Sequence, residues 1–130
     1  VRSGRVSFMI DVAPYLVPLA KSKQIKVLAV STPQRIPALP DVPTIAESGV
    51  PGYELFAWDG LFAPKGTPAD RLDRLHQAVN EVLKDPAFDR TMQERGSINS
   101  PMSRSEFAQF VRKEYELHGE IVKFTGARID

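Results

Sequence analysis

Seven of the 11 prolines in this 130-residue chain fall between Pro33 and Pro68, and no other feature restricts the fold as strongly. Pro37, Pro40 and Pro43 recur at every third residue. Each fixes φ, removes an N–H donor and turns the residue before it away from helical angles. A regular helix across Ile36–Val42 is therefore excluded. A disordered linker fits poorly too, because Leu55, Phe56, Trp58, Leu61 and Phe62 follow and disordered segments are poor in aromatic residues. The stretch reads as ordered, irregular structure between two differently patterned flanks.

The N-terminal flank, Val1–Thr32, carries two short apolar runs. Arg5–Ile10 predicts a strand, and Ile25–Val30, β-branched and nearly continuous, predicts a buried parallel one. Between them, Leu16, Leu19 and Ala20 stand at helical spacing within Ala13–Lys23. Pro14 suits a first turn, whereas Pro18 kinks or shortens the helix. Strand, helix and strand make a βαβ unit with a right-handed crossover. Within the proline-rich middle, Thr44–Gly49 predicts a helical turn or two, with Thr44 as N-cap, Glu47 closing a capping box and Gly49 as the stop. Tyr53–Trp58 has strand character, continues through Gly60–Ala63, and halts at Pro64–Pro68.

The C-terminal flank, Ala69–Asp130, is helical in pattern. Leu72, Leu75, Val79, Val82 and Leu83 form a core-facing stripe. Thr67 is the expected N-cap, with Pro68 at the first helical position. Asp85-Pro86 ends that helix and starts a short one carrying Ala87, Met92 and Gln93, which closes near Gly96. Ser103 and Glu106 repeat the capping-box grammar before a last helix. Its apolar face comprises Phe107, Phe110, Val111, Leu117, Ile121 and Val122.

Charge and composition exclude several classes of function. Seventeen Lys+Arg against 16 Asp+Glu leave +1, too little basic excess for a dedicated nucleic-acid binder. The absence of cysteine removes disulfides, Cys-ligated metals and thiol nucleophiles. No apolar run approaches the roughly 20 residues of a membrane span. A start at Val1 without a signal peptide points to a processed or excised piece. His76 and His118 are too far apart in sequence for a helical metal pair. Most carboxylates, among them Asp70, Asp73, Glu81, Glu94, Glu114, Glu116 and Glu120, fall at positions expected to face solvent. Ala46 stands where Gly-x-Ser-x-Gly around Ser48 needs glycine, and there is no phosphate loop. No catalytic residue, metal ligand or cofactor is assigned.

Three places remain where a ligand is plausible. Asp11 closes the first expected strand, before Val12-Ala13-Pro14, and carboxyl ends of strands are where open α/β sheets bind ligands. Asp11 serves equally as a helix N-cap. Ser31 and Thr32 end the second strand on the same edge, weighted toward turn formation. Trp58 is either core or the floor of a cleft, the former favoured.

From Lys26-Val27-Leu28-Ala29-Val30-Ser31-Thr32, then Ile36-Pro37-Ala38-Leu39-Pro40-Asp41-Val42-Pro43-Thr44-Ile45-Ala46-Glu47-Ser48-Gly49, the sequence closely resembles the extracytoplasmic solute receptors of the tripartite tricarboxylate transporters, the TctC or Bug family. The likeness continues through Pro51-Gly52-Tyr53-Glu54, Trp58, Gly60-Leu61 and Ala63–Pro68. It extends upstream to Ser3–Asp11 and downstream to Asp85-Pro86, Gly96 and Glu106-Phe107.

The resemblance implies an α/β, type 2 periplasmic-binding-protein-like fragment of a Venus flytrap, with short strands and a helical C-terminal third. Residues 1–56 would be part of the second lobe, and 57–130 would cross the hinge and return helices to the first. The implied role is periplasmic capture of a small carboxylate, dicarboxylate or amino acid for membrane transporter subunits, by lobe closure over the ligand. Oriented N–H donors at helix starts would hold the anion. The alternative is a ligand-sensing flytrap for a signalling partner. Neither reading involves nucleic acid, a cofactor or enzymatic turnover. The ligand-binding candidates carried over are Asp11, Val12, Ala13 and Pro14, then Ser31, Thr32 and Trp58. Val12 departs from the Asn or small polar residue the family often has after the Asp. Open edges and uncovered apolar surface predict that the isolated chain is dimeric or domain-swapped.

Overall fold

A computed structural model describes residues 1 and 3–128. Four helices account for its regular structure: α1 (Ala13–Lys21), α2 (Ala69–Leu83), α3 (Pro86–Glu94) and α4 (Arg104–Thr125). Among the described residues no strand ladder forms, and a single parallel bridge joins Val30 to Thr44. The strands expected at Arg5–Ile10, Ile25–Val30 and Tyr53–Trp58 thus form no sheet, and the chain bends at Arg5, Ser7 and Ile25. A strand exists only with a partner to take its N–H and C=O groups, and the βαβ sheet does not close within these residues.

Helix ends follow local chemistry closely, with two shifts. α1 stops at Lys21, two residues early, where Pro18 lies inside a nine-residue helix and Lys23 takes φ +56°. At α2 the N-cap is Pro68, because the Thr67 hydroxyl donates to the Pro64 carbonyl at 2.8 Å and is committed to the preceding turn. α3 starts at Asp85-Pro86 as expected, and Asp85 caps it, accepting from the N–H groups of Ala87 and Phe88. Gly96 ends α3 at φ +83°, with Gly96 N–H donating to the Gln93 carbonyl and Ser97 N–H to that of Met92, the paired bonds of a Schellman stop. Ser103 and Glu106 form the full capping box of α4.

The segment after Pro43 makes one helical turn. Thr44 N–H donates to Glu47 Oε2 at 2.7 Å, and Glu47 N–H returns to Thr44 Oγ1 at 3.0 Å. Glu47 also accepts from Arg35 Nε at 3.0 Å, while Arg35 Nη1 reaches the Pro40 carbonyl at 3.2 Å. One carboxylate therefore ties both ends of the proline-spaced loop. Val30 N–H donates to the Pro43 carbonyl and Ile45 N–H to the Val30 carbonyl, each at 2.9 Å.

These bonds place the small core. Val17 of α1, Ile36 and Thr44 are the fully buried residues, and Gly96 is pressed against the first two. α2 and α3 pack on one another, but Leu75 and Val82 of the expected α2 stripe are exposed, as is Val122 of α4.

Both capping-box carboxylates are held below the usual value of about 4.5. Glu47 is lowered chiefly by the Thr44 N–H and then by Arg35, and Glu106 by the Ser103 hydroxyl and N–H. The unfolded chain thus binds more protons than the folded one near that pH, so stability rises with pH there. The contribution is complete above the unfolded value and is lost as pH falls through the folded ones. Thermal melts are expected to drop below about pH 5, with E47Q and E106Q flattening the acid limb. A parallel acid limb in the double variant counts against the assignment.

Candidate functional site

The first candidate surrounds the start of α1. Val12, extended at φ −74° and ψ 139°, is the N-cap, and no side chain caps the first turn. Asp11 lies one residue too early to reach the first-turn donors, and its Oδ1 accepts the adjacent Val12 N–H at 2.8 Å. The capping alternative for Asp11 is therefore not realised. Asp11, Val12 and Pro14 are exposed and Ala13 is half-buried. A carboxylate is an acceptor, so Asp11 suits a donor group of a ligand, while an anion would have to be met by N–H groups.

The second candidate follows the Val30–Thr44 bridge. Ser31 and Thr32 are half-buried. The Ser31 carbonyl accepts from Leu55 N–H at 3.2 Å, which leads the chain back alongside this edge. Thr32 Oγ1 donates to the Gln34 carbonyl at 2.6 Å and closes a turn, whereas the Ser31 hydroxyl has no protein partner among the described residues.

Trp58 belongs to different surroundings. Its ring meets Phe110 edge-on at 5.1 Å and Phe107 at 6.1 Å, and Phe62 lies 5.5 Å from Phe107. Its Nε1–H donates to Glu114 Oε2 at 3.2 Å. This is the packing role of the two considered. No hydrogen bond or ring contact connects Trp58 to Asp11 or to Ser31 and Thr32 among the described residues.

Three contributors escaped the sequence reading. Glu114, placed above on a solvent face, has a side chain only 12% exposed beneath the indole. Its spacing of four after Phe110 and seven after Phe107 was the available signal. The Arg35–Glu47 pair braces the bridge that presents Ser31. Gly96 lies against Ala13, the first residue of α1. Two open grooves, of about 370 and 560 Å³, lie among α2, α3 and the segment entering α4, and none of the ligand candidates lines them. No group of three His, Asp or Glu side chains suited to a metal occurs among the described residues. No helix there is long and apolar enough to cross a membrane.

Residues 1–127 match the tripartite tricarboxylate transporter family receptor, TctC. A UPF0065 protein of Bordetella bronchiseptica is 38% identical over 111 residues, 85% of this chain and 33% of its own length. Among solved structures, an R. palustris protein with adipate is 34% identical and superposes with a TM-score of 0.86, over 96% of this chain and 42% of that one. MatC from Rhodopseudomonas palustris, solved with bound malate, is 31% identical at a TM-score of 0.77, over 93% and 42%. The chain spans about a third of the curated relatives it matches and about two fifths of these structures.

Proposed function

The chain belongs to the tripartite tricarboxylate transporter receptor family, TctC, and on that premise we propose that it is the ligand-capturing C-terminal part of a periplasmic solute receptor for small carboxylates. The observation that carries this reading is the near-complete superposition on part of an adipate-bound protein. The ligand class is a dicarboxylate or a related small acid, delivered to membrane subunits of a tripartite transporter. The role is capture and release, without turnover.

In this reading the ligand meets the start of α1 and the Ser31–Thr32 edge. The first turn offers one N–H, that of Ala13, to a ligand carboxylate, since Pro14 has none and Tyr15 N–H donates to the Val12 carbonyl, and Asp11 takes a donor of the ligand. Trp58 acts one step away, by fixing the segment that follows Leu55 onto α4. Residues 1–56 form part of one lobe, and 57–130 cross the hinge toward the other. Because Gly96 stays seated on Val17 and Ile36, the end of α3 remains with the first segment and α4 carries the return. Alone, the chain self-associates, as a dimer or by exchanging elements.

The test grafts residues 1–128 in place of the matched part of the adipate-bound R. palustris protein and follows thermal shifts with adipate, malate and acidic amino acids. At least one acid should stabilise the graft. Asp11→Ala should weaken that acid about tenfold or more with the ligand-free melt unchanged. No stabilisation by any acid overturns the reading, and a lowered ligand-free melt assigns Asp11 a structural role instead.

A further inference from the structure

We propose that Asn99 is a deamidation site: its side-chain amide becomes a carboxylate through a ring closed with the Ser100 nitrogen, and the product breaks the one polar tie between α3 and the segment leading into α4. That tie centres on Asp89, in the first turn of α3. One of its oxygens accepts from Gln93 Nε2 at 2.8 Å, and the other accepts from Asn99 Nδ2 at 3.0 Å. Asp89 and Asn99 are both half-buried. From Ile98 to Met102, no other hydrogen bond of main chain or side chain holds the segment among the described residues.

The local backbone suits ring closure. Asn99 and Ser100 lie outside regular structure, and Ser100 is exposed. Neither the Ser100 N–H nor Asn99 Oδ1 makes a hydrogen bond among the described residues, and serine lacks the β-branch that would crowd its nitrogen. In the reaction the Ser100 nitrogen gives its proton to water and bonds to Asn99 Cγ. The Cγ–Nδ2 bond breaks and ammonia leaves. Water then opens the cyclic imide at either carbonyl, giving aspartate or, with the main chain running through Cβ, isoaspartate. Asp89 Oδ1 faces the departing nitrogen, where a carboxylate favours the ammonium that forms. Asn80 is the other asparagine of the chain and an internal control. It lies inside α2, where the Glu81 N–H is committed to the helix, and its amide donates to the His76 carbonyl.

The consequence follows from charge. Before the reaction an amide donor meets Asp89. Afterwards two carboxylates share a half-buried place, and like charges in contact there cannot both stay ionised. Lys84 lines the same groove as Asp89 and Asn99 but makes no ion pair among the described residues, so no cation is in place to hold the new charge. The two side chains part, and the segment between α3 and α4 comes away from α3. This inference rests on local chemistry and is independent of the ligand proposed above.

The experiment holds the purified chain at mildly alkaline pH and maps its peptides by mass spectrometry, with isoaspartate detected by enzymatic methylation. Asn99 should convert about tenfold or more faster than Asn80. Ser100→Val, whose branched side chain crowds the attacking nitrogen, should slow Asn99 by a similar factor and leave the melting temperature unchanged. Asn99→Asp, which makes one of the two products directly, should lower the melting temperature by about 5 °C or more. Asp89→Asn added to it restores one donor and one carboxylate, and should recover most of that loss. Equal conversion of the two asparagines, or no slowing by Ser100→Val, overturns the modification site. An Asn99→Asp chain that melts like the parent, or a swapped pair that recovers nothing, overturns the release from α3.

Discussion

Gly96→Ala is expected to lower the melting temperature of the chain by about 10 °C. Two costs combine at this position. Gly96 has φ +83°, where a Cβ costs roughly 1–2 kcal/mol. An added Cβ would also lie 2.9 Å from Ala13 Cβ, 3.0 Å from Val17 Cγ2 and 3.3 Å from Ile36 Cδ1. Val17 and Ile36 are two of the three buried residues among those described, so the displaced atoms have no solvent to move into, and overpacking of this kind costs about 1–3 kcal/mol. Gly66 separates the two terms, since it has φ +87° and nothing within 4 Å of an added Cβ. Gly66→Ala should show only the backbone cost, about 1–2 kcal/mol, and Gly96→Ala roughly twice that. Equal melting temperatures would show that the Gly96 contact contributes nothing. Because Ala13 begins α1, the same substitution should disturb the Asp11–Pro14 turn, and with it any ligand bound there.

How far the sequence could be read depended on how local each signal was. The Ser103–Glu106 and Thr44–Glu47 boxes involve partners within three residues, and both were legible, as was the start of α3 at Asp85-Pro86. Thr67 misled because its hydroxyl has another local partner, donating to the Pro64 carbonyl instead of accepting a first-turn N–H. Strands were the weakest expectation. Pattern shows that Val6–Ile10 wants burial, but pairing depends on groups remote in sequence, which no run of six residues specifies. The candidate site divided in the same way. The turn after Asp11 was found from its position, whereas the bracing of Ser31 through Arg35, Glu47 and Pro43 needs contacts across a loop. Gly96 gave only the signal of a helix stop, and its closeness to Val17 is tertiary.

Trp58→Ala should be the most damaging single change on the other side of the molecule. The indole is half-buried between Phe107 and Phe110, and truncating a fully buried Trp or Phe to Ala costs about 3–5 kcal/mol. Partial exposure reduces this to about 2–4 kcal/mol, still a large fraction of a domain's stability. Gly60 shows how tight the contact is, because an added Cβ there would overlap the Phe107 ring. Trp58→Phe isolates the polar part. It keeps an aromatic edge toward α4 but removes the Nε1–H donor to Glu114, whose side chain is largely covered. Loss of a hydrogen bond to a carboxylate of this kind costs about 1–2 kcal/mol. In a double-mutant cycle with Glu114→Ala, which removes the acceptor, Trp58→Phe should therefore show a coupling energy well above the error of additivity. A coupling near zero would mean that water serves Glu114 as well as the indole does, leaving the ring contacts with Phe107 and Phe110 as the whole basis of the cluster. Either way, the segment after Leu55 is tied to α4 by this ring. Trp58→Ala should thus free residues 57–62 to exchange their amides quickly, while the Val17–Ile36–Thr44 core, which shares no hydrogen bond or ring contact with the indole among the described residues, keeps its protection.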